Sequence, residues 1–330
     1  MSPTPLPTRT LGDLPVPAIG FGAMVLSPGV YGDIDDDRAL TALRHAVDAG
    51  AAFLDTSDYY GGGHNEALVD RAVAGRRDAV VVATKFGLNL ADGAEIHRLP
   101  VGYAFRELEV NAEPRYVRRY AEASLRRLDT DRIDLYYLHF PDPQVPIEDT
   151  IGAVADLVAG GMVRHVGLSN VTADQLRRAH AIHPVAAVQV EWSMWKPIPT
   201  GLLATAHALG AGIVAWSPLG GGFLTGNVAS LGEGDFRHNA PRFQGDNLAT
   251  NNDRFAPIRK VAADLGITPG QLALAWLLHQ HPAVVPIPGS RTPSHIDENL
   301  EAARVDLDDE TLSNIDRLLA AASPVGGVLL

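Results

Sequence analysis

The feature that most constrains the fold of this 330-residue chain is an alternation. Short apolar runs are separated by stretches whose apolar residues recur at helical spacing. Residues 51–54, 79–84, 133–138, 163–168, 187–190, 212–215 and 284–287 read as strands, and a last short strand is expected at 302–305. Between them, Leu40, Leu43 and Val47 form one helical face, capped by Asp36 or Asp37 and stopped at Gly50. Val117, Ala121, Leu125 and Leu128 form another, as do Phe255, Ile258, Val261 and Leu265, and then Leu312, Ile315 and Leu319. Near-continuous apolar strands indicate a parallel sheet buried on both faces. Eight of them with intervening helices predict α/β architecture, a single closed (β/α)8 TIM barrel over residues 1–330. No linker or charge run divides the chain.

Polar residues gather at one end of these strands. Asp55, Lys85, His139, Asn170, Gln189, Ser217 and Arg291 each follow an apolar run. In a barrel, that end is where active sites are built. Four of them also have a plainer reading: a snorkelling Lys85, a turn-capping Asp55, a core His139, a surface Arg291. Among the other histidines, His64, His165, His183, His207, His279 and His281 have no convincing ligand spacing, and no metal is expected.

Composition narrows the function classes. Lys and Arg number 27 against 39 Asp and Glu, so the net charge is 27 − 39 = −12. Such a balance opposes non-specific binding to nucleic acid or an anionic membrane. With no cysteine, disulfides and thiol nucleophiles are excluded. The N-terminal residues lack a signal-peptide pattern, and no apolar run reaches the ~20 residues of a membrane span. A soluble, cytoplasmic protein is the expectation.

Three strings at strand ends carry a resemblance: Asp55-Thr56-Ser57-Asp58-Tyr59-Tyr60-Gly61, Thr84-Lys85-Phe86-Gly87 and Leu138-His139-Phe140-Pro141. With Gly167-Leu168-Ser169-Asn170, Gln189 and Trp216-Ser217-Pro218-Leu219 in the same order, the chain resembles the aldo-keto reductase superfamily. Within it, the chain resembles the branch that is similar to the potassium-channel β-subunits. The resemblance runs from Ile19-Gly20-Phe21-Gly22 to Asp297-Glu298-Asn299-Leu300 and implies an N-terminal β-hairpin before the barrel. It also implies carbonyl reduction by NADPH, with Asp55, Tyr60, Lys85 and His139 as the catalytic quartet. Chemistry alone does not separate Tyr60 from its neighbour Tyr59; the family spacing selects Tyr60. A phenol near pKa ~10 is a poor acid at neutral pH, and a nearby Lys85 is expected to make it more acidic. Asp55 would orient that lysine, and His139 would donate to the carbonyl oxygen as charge develops.

For the cofactor, NADPH/NADP+, the resemblance implies contacts with the nicotinamide from Gly22, Ala23 and Met24. Its carboxamide falls to Ser169, Asn170 and Gln189, and Trp216 stacks on the ring where most relatives have tyrosine. Ser217, Pro218, Leu219, Gly220, Gly222, Leu224 and Gly226 would wrap the pyrophosphate. Gly289, Ser290 and Arg291, before a short helix capped by Ser294, are placed for a 2′-phosphate, with His295, Glu298 and Asn299 around the adenosine. Residues 226–252 lack periodicity and are expected to form a long cofactor-clasping loop. The substrate pocket for a small-molecule carbonyl is expected to be walled by Tyr31, Phe105, Phe140, Trp192 and Trp195. Two other functions stay open: an NADPH-binding redox sensor of the same fold, and a Schiff-base lyase using Lys85.

Overall fold

A hairpin of β1 (Thr8–Leu11) and β2 (Leu14–Pro17) precedes the main sheet. The computed structural model describes residues 5–228 and 230–330. The main sheet begins with β3 (Phe21–Gly22), β4 (Phe53–Asp55) and β5 (Val81–Phe86). An antiparallel pair, β6 (His97–Pro100) and β7 (Glu107–Val110), is inserted next. The sheet continues with β8 (Ile133–Leu138), β9 (Val163–Ser169), β10 (Val185–Glu191), β11 (Gly212–Trp216) and β12 (Val284–Pro286). Its spatial order follows the chain from β3 to β12, and each neighbouring pair is parallel.

The first strand is stitched to the last. Gly20 N–H donates to the Pro286 carbonyl at 3.0 Å and Gly22 N–H to that of Pro288 at 3.4 Å, closing the barrel. That seam demands glycine: a Cβ on Gly22 would lie 2.7 Å from the Ile287 oxygen, and one on Gly289 2.3 Å from the Gly22 oxygen.

The closing strand is therefore β3, and residues 302–305 are not a strand. Ala302–Arg304 form a single 3₁₀ turn, with Ala302 buried among Leu274, Leu278 and Leu300. Its alanines favour helix over strand, whereas two-residue β3 is too short to show as an apolar run.

The helices between strands are α1 (Asp36–Asp48), α2 (His64–Val73), α3 (Pro114–Arg127), α4 (Ile147–Ala159) and α5 (Ala173–Ile182). They are followed by α6 (Leu202–Ala208), α7 (Asn247–Asp264), α8 (Pro269–Gln280), α9 (Pro293–Glu301) and α10 (Asp309–Ala322). Asp35, rather than Asp36 or Asp37, caps α1 through Arg38 N–H. Thr292 is the N-cap of α9, with Pro293 as its first residue, so Ser294 lies inside the helix. Among the described residues no single helix is long and apolar enough to cross a membrane.

The barrel interior is filled by Phe53, Ala83, Leu135, Tyr137, Ala187, Val214 and Val285, and Leu11, Leu14 and Val16 of the hairpin join them. The hairpin thus plugs one end and leaves the C-terminal ends of the strands as the mouth. Gly167 faces Tyr137 in the β8–β9 register; a Cβ there would lie 2.4 Å from the Tyr137 ring.

Candidate active site

Period-two alternation delivers the site residues. Inward positions are apolar in mid-barrel and polar one step later: Phe53 then Asp55, Ala83 then Lys85, Tyr137 then His139, Ala187 then Gln189. The four predicted catalytic side chains meet there. Lys85 is fully buried, and its Nζ donates to Asp55 Oδ1 at 2.6 Å, to the Thr56 carbonyl at 2.8 Å and to Tyr60 Oη at 3.0 Å. All three ammonium protons are thereby used. The His139 ring stands edge-on to Tyr60, with centroids 6.0 Å apart. Tyr59 is 52% exposed, and it is Tyr60, not Tyr59, whose hydroxyl accepts from Lys85.

Burial and charge compete at each group. Burial works to discharge Lys85, but Asp55 and Tyr60 outweigh it and hold the ammonium above its ordinary value. Burial raises the Asp55 carboxyl, opposed by Lys85 and by Gln189 Nε2, which donates to Asp55 Oδ2 at 2.6 Å. Tyr60 departs from the sequence expectation. Burial raises its phenol above the ordinary value, and the Lys85 charge offsets this only in part. Burial, and then the Lys85 charge, push His139 well below the usual histidine range, so its imidazole is neutral at pH 7.

The residues expected to hold a cofactor line the same mouth. Asn170 and Ser217, each just past a strand end, have φ of 59° and 51°. Non-glycine residues in that region cost about 1–3 kcal/mol and cluster at functional sites. Asn170 Oδ1 accepts from Trp216 Nε1 at 3.1 Å, while its Nδ2 donates to the His139 carbonyl and to Ser169 Oγ. A lone pair on Asn170 Oδ1, the Ser169 proton and Gln189 Oε1 remain to meet a planar primary amide. Gly220, Gly221 and Gly222 follow with φ of 58°, 63° and 90°, and Gly221 N–H donates to Ser217 Oγ at 3.1 Å. At the α9 N-terminus, the N–H groups of Ser290 and Arg291 donate to nothing among the described residues. Asn299, although buried, makes no side-chain hydrogen bond among them, while Glu298 accepts from Thr268 Oγ1 at 2.7 Å. His295 is exposed. This set suits a nicotinamide dinucleotide: an amide pocket, a flat indole, a glycine cradle and an anion site with one free cationic N–H.

Arg291 is not idle. Its Nε donates to the Val25 carbonyl at 2.7 Å, Nη1 to those of Tyr31 and Asp33 at 2.8 and 3.4 Å, and Nη2 to that of Gly32 at 3.1 Å. Four of five guanidinium protons therefore secure the segment after β3, leaving one for an anion.

The 226–252 segment is more structured than its composition suggested. Residue 229 lies outside the described residues; among the others are two 3₁₀ turns, Phe236–Asn239 and Pro241–Phe243, and α7 already begins at Asn247. The segment lies across the mouth. Phe236 N–H donates to the Val30 carbonyl at 2.8 Å, Tyr31 bridges Asp235, and Ala104 N–H donates to the Asn239 carbonyl at 2.9 Å. Arg237 binds Asp235 and the Gly221 carbonyl, with its guanidinium 4.9 Å from the Tyr31 ring centroid.

Of the expected pocket walls, Tyr31 and Phe105 reach this rim, where Phe105 lies 6.2 Å from Phe236. Phe140 stacks on His139 at 5.1 Å. Trp192 is buried edge-on against Trp276 of α8, whereas Trp195, buried and stacked on Phe223 at 4.0 Å, also meets Phe243 of the segment across the mouth edge-on at 5.0 Å.

A family model described as "Aldo/keto reductase family" matches residues 18–320. The chain belongs to the aldo/keto reductase family. It is 40% identical to the NADP(+) aldo-keto reductase yakc of Schizosaccharomyces pombe, over 97% of this chain and 94% of that one. Among solved structures, a glycerol dehydrogenase from Gluconobacter oxydans superposes with a TM-score of 0.82 at 28% identity, covering 98% of each chain. An aldo-keto reductase from Klebsiella pneumoniae solved with NADPH gives a TM-score of 0.71 at 28% identity, over 95% of this chain and 96% of that one.

Several residues of the site escaped the sequence reading. Ser57 Oγ lies 3.2 Å from both His139 Nδ1 and Asp58 Oδ1. Behind them, the buried Glu66 accepts from Thr84 Oγ1 and from Arg127 Nε, each at 2.6 Å. Asn65 accepts from Thr56 Oγ1 and donates to the Ala23 carbonyl. Ser57 and Asp58 sit inside the quoted Asp55–Tyr60 string, so position alone marked them; Glu66 and Arg127 had no such marker.

Proposed function

We propose that this chain is an NADPH-dependent oxidoreductase that reduces aldehydes and ketones to alcohols, with Tyr60 as the general acid. The observation that carries the reading is the Tyr60 hydroxyl 3.0 Å from a Lys85 ammonium that is itself paired to Asp55 at 2.6 Å. Bound NADPH supplies the hydride that reduction requires. Ser169, Asn170 and Gln189 would hold its carboxamide and Trp216 its ring face. Gly220 to Gly222 would approach the pyrophosphate, Ser290 and Arg291 the 2′-phosphate, and Asn299 the adenosine.

The chain's own groups handle the proton and the developing charge. Tyr60 is a neutral phenol at pH 7 and keeps its proton until the carbonyl oxygen gains charge. Lys85 then stabilises the phenolate left behind. Asp55 fixes the lysine, so the cation needs no reorganisation at that moment. Neutral His139 donates a hydrogen bond to the same oxygen without offering it a competing positive charge. The rim of Tyr31, Phe105 and Phe236 gives the carbonyl compound an aromatic entrance.

A Schiff-base role for Lys85 is disfavoured on the same geometry. A nucleophilic amine must be deprotonated, whereas all three Lys85 protons are donated and its pKa is raised. Turnover of a panel of aldehydes and ketones, followed by loss of NADPH absorbance, tests the reading. Reduction of at least one carbonyl class is expected. Tight NADPH retention with no turnover across the panel would point instead to a redox-sensing binder.

A further inference from the structure

Between Asp55 and Tyr60 lies a buried acid that the chemistry above leaves unused. Asp58 is 1% exposed, and its Oδ2 has no hydrogen-bond partner. The groups that act on it electrostatically are the Glu66 carboxylate and the Arg127 guanidinium, and it acts in turn on the phenols of Tyr60, Tyr120 and Tyr136. Arg127 and Thr84 are both committed to Glu66. An ionised Asp58 would therefore be a buried charge with one bare oxygen beside a second carboxylate, a costly arrangement. A neutral acid has only to place its proton.

Ser57 links this acid to the site. Its hydroxyl has one proton and two lone pairs. One lone pair accepts from Tyr59 N–H at 3.1 Å, and the neighbours at 3.2 Å are Asp58 Oδ1 and His139 Nδ1. Two arrangements satisfy all three contacts without stranding an acid proton on Oδ2, which has no partner. With Asp58 ionised, Ser57 donates to Oδ1 and must accept from Nδ1–H, which leaves Nε2 of the neutral imidazole bare. With Asp58 neutral, Oδ1–H donates to Ser57, Ser57 donates to Nδ1, and the histidine proton stands on Nε2. Only the second arrangement gives His139 a donor on the far side of its ring.

We propose that Asp58 and Ser57 are positioning residues: a neutral Asp58, acting through the Ser57 hydroxyl, fixes His139 in its Nε2–H tautomer. This inference rests on the reading of His139 as a donor to the carbonyl oxygen and supplies the reason that it can donate. Burial, and then the Glu66 charge, raise the Asp58 carboxyl well above the usual range, against weaker opposition from Arg127, Ser57 and Tyr59 N–H. That direction agrees with the geometric argument.

The test uses the full-length protein loaded with NADP+ at pH 7, with nitrogen-15 histidine spectra and infrared difference spectra. The expected results are an Nε2–H pattern for His139 and a protonated-carboxyl band that disappears in Asp58→Asn. The asparagine amide can replace the acid proton, so Asp58→Asn keeps the tautomer, and kcat falls less than in Asp58→Ala. In Ser57→Ala the tautomer ratio should shift about two- to tenfold toward Nδ1–H, the fold-change of one net hydrogen bond. NADPH titration by fluorescence confirms that each variant is folded. An Nδ1–H pattern in the wild type, no protonated-carboxyl band, or an unchanged tautomer ratio in Ser57→Ala would overturn the proposal. A shifted ratio with wild-type kcat would leave the tautomer control standing and remove His139 from the role of carbonyl donor.

Discussion

Replacing Arg291 by alanine separates two jobs that the structure gives to one side chain. Four of its five guanidinium protons hold the carbonyls of Val25, Tyr31, Gly32 and Asp33, so one remains for a phosphate oxygen. A single hydrogen bond to a charged group contributes about 1.5–3 kcal/mol, or roughly ten- to a hundredfold in affinity. That part is specific to NADPH, because NADH has no 2′-phosphate. Loosening the segment after β3 should weaken both cofactors by a common factor, since Val25 directly follows the 22–24 stretch proposed to meet the nicotinamide and Tyr31 lies at the rim. Arg291→Ala should therefore lower the ratio of NADPH to NADH affinity by about ten- to a hundredfold, while NADH binding itself also weakens. Fluorescence titration of both cofactors on wild type and variant measures the ratio directly. An unchanged ratio would show that Arg291 only secures the loop, and a wild type that prefers NADH would remove the phosphate site altogether.

Three further outcomes follow from the same geometry. Because His139 has a folded pKa well below its ordinary ~6.5, the unfolded chain takes up a proton first as pH falls. Stability present above pH ~6.5 is therefore lost on acidification, and urea midpoints should fall less steeply below that pH in His139→Gln. Arg127→Met leaves the fully buried Glu66 carboxylate without its cation and should destabilise by about 3–5 kcal/mol in denaturant unfolding; adding Glu66→Gln should restore part of it, and no recovery would refute the pairing argument. Amide exchange over residues 230–246 should slow when NADPH is added, as the segment across the mouth closes on its ligand; unchanged protection would count against a clasp.

Much of the barrel was legible because its strands are buried on both faces and therefore uniformly apolar. Seven of them showed in that way, and the polar residue at each C-terminal end showed with them. The eighth failed for a definite reason. Phe21–Gly22 is two residues long and defined by glycine close approach at the seam, which leaves no hydrophobic run, while the alanines at 302 and 303 imitate a strand although they pack as a helical turn. That Lys85, Asp55 and Tyr60 come together was readable from strand ends and family spacing, but their electrostatic balance was not. The net effect on Tyr60 depends on burial that only the assembled mouth supplies. Arg291 was legible as a cation near a helix start, yet its four carbonyl partners come from residues about 260 positions away in sequence. The network of Asp58, Ser57, Glu66 and Arg127 is likewise tertiary, since Arg127 reaches Glu66 from the last turn of α3.

Transfer of hydride with a proton from Tyr60 is tested most directly by a single-turnover experiment with NADPH carrying deuterium at both C4 positions. The protein is loaded with the labelled cofactor and mixed with a reducible carbonyl compound, and the product is analysed by mass spectrometry. Wild type should place deuterium on the carbinol carbon. Tyr60→Phe keeps the ring and removes the proton donor, so it should bind NADPH with unchanged affinity and form almost no labelled alcohol. Labelled alcohol formed by Tyr60→Phe at the wild-type rate would contradict the assignment of the acid, and unlabelled alcohol from the wild type would contradict hydride transfer from the cofactor.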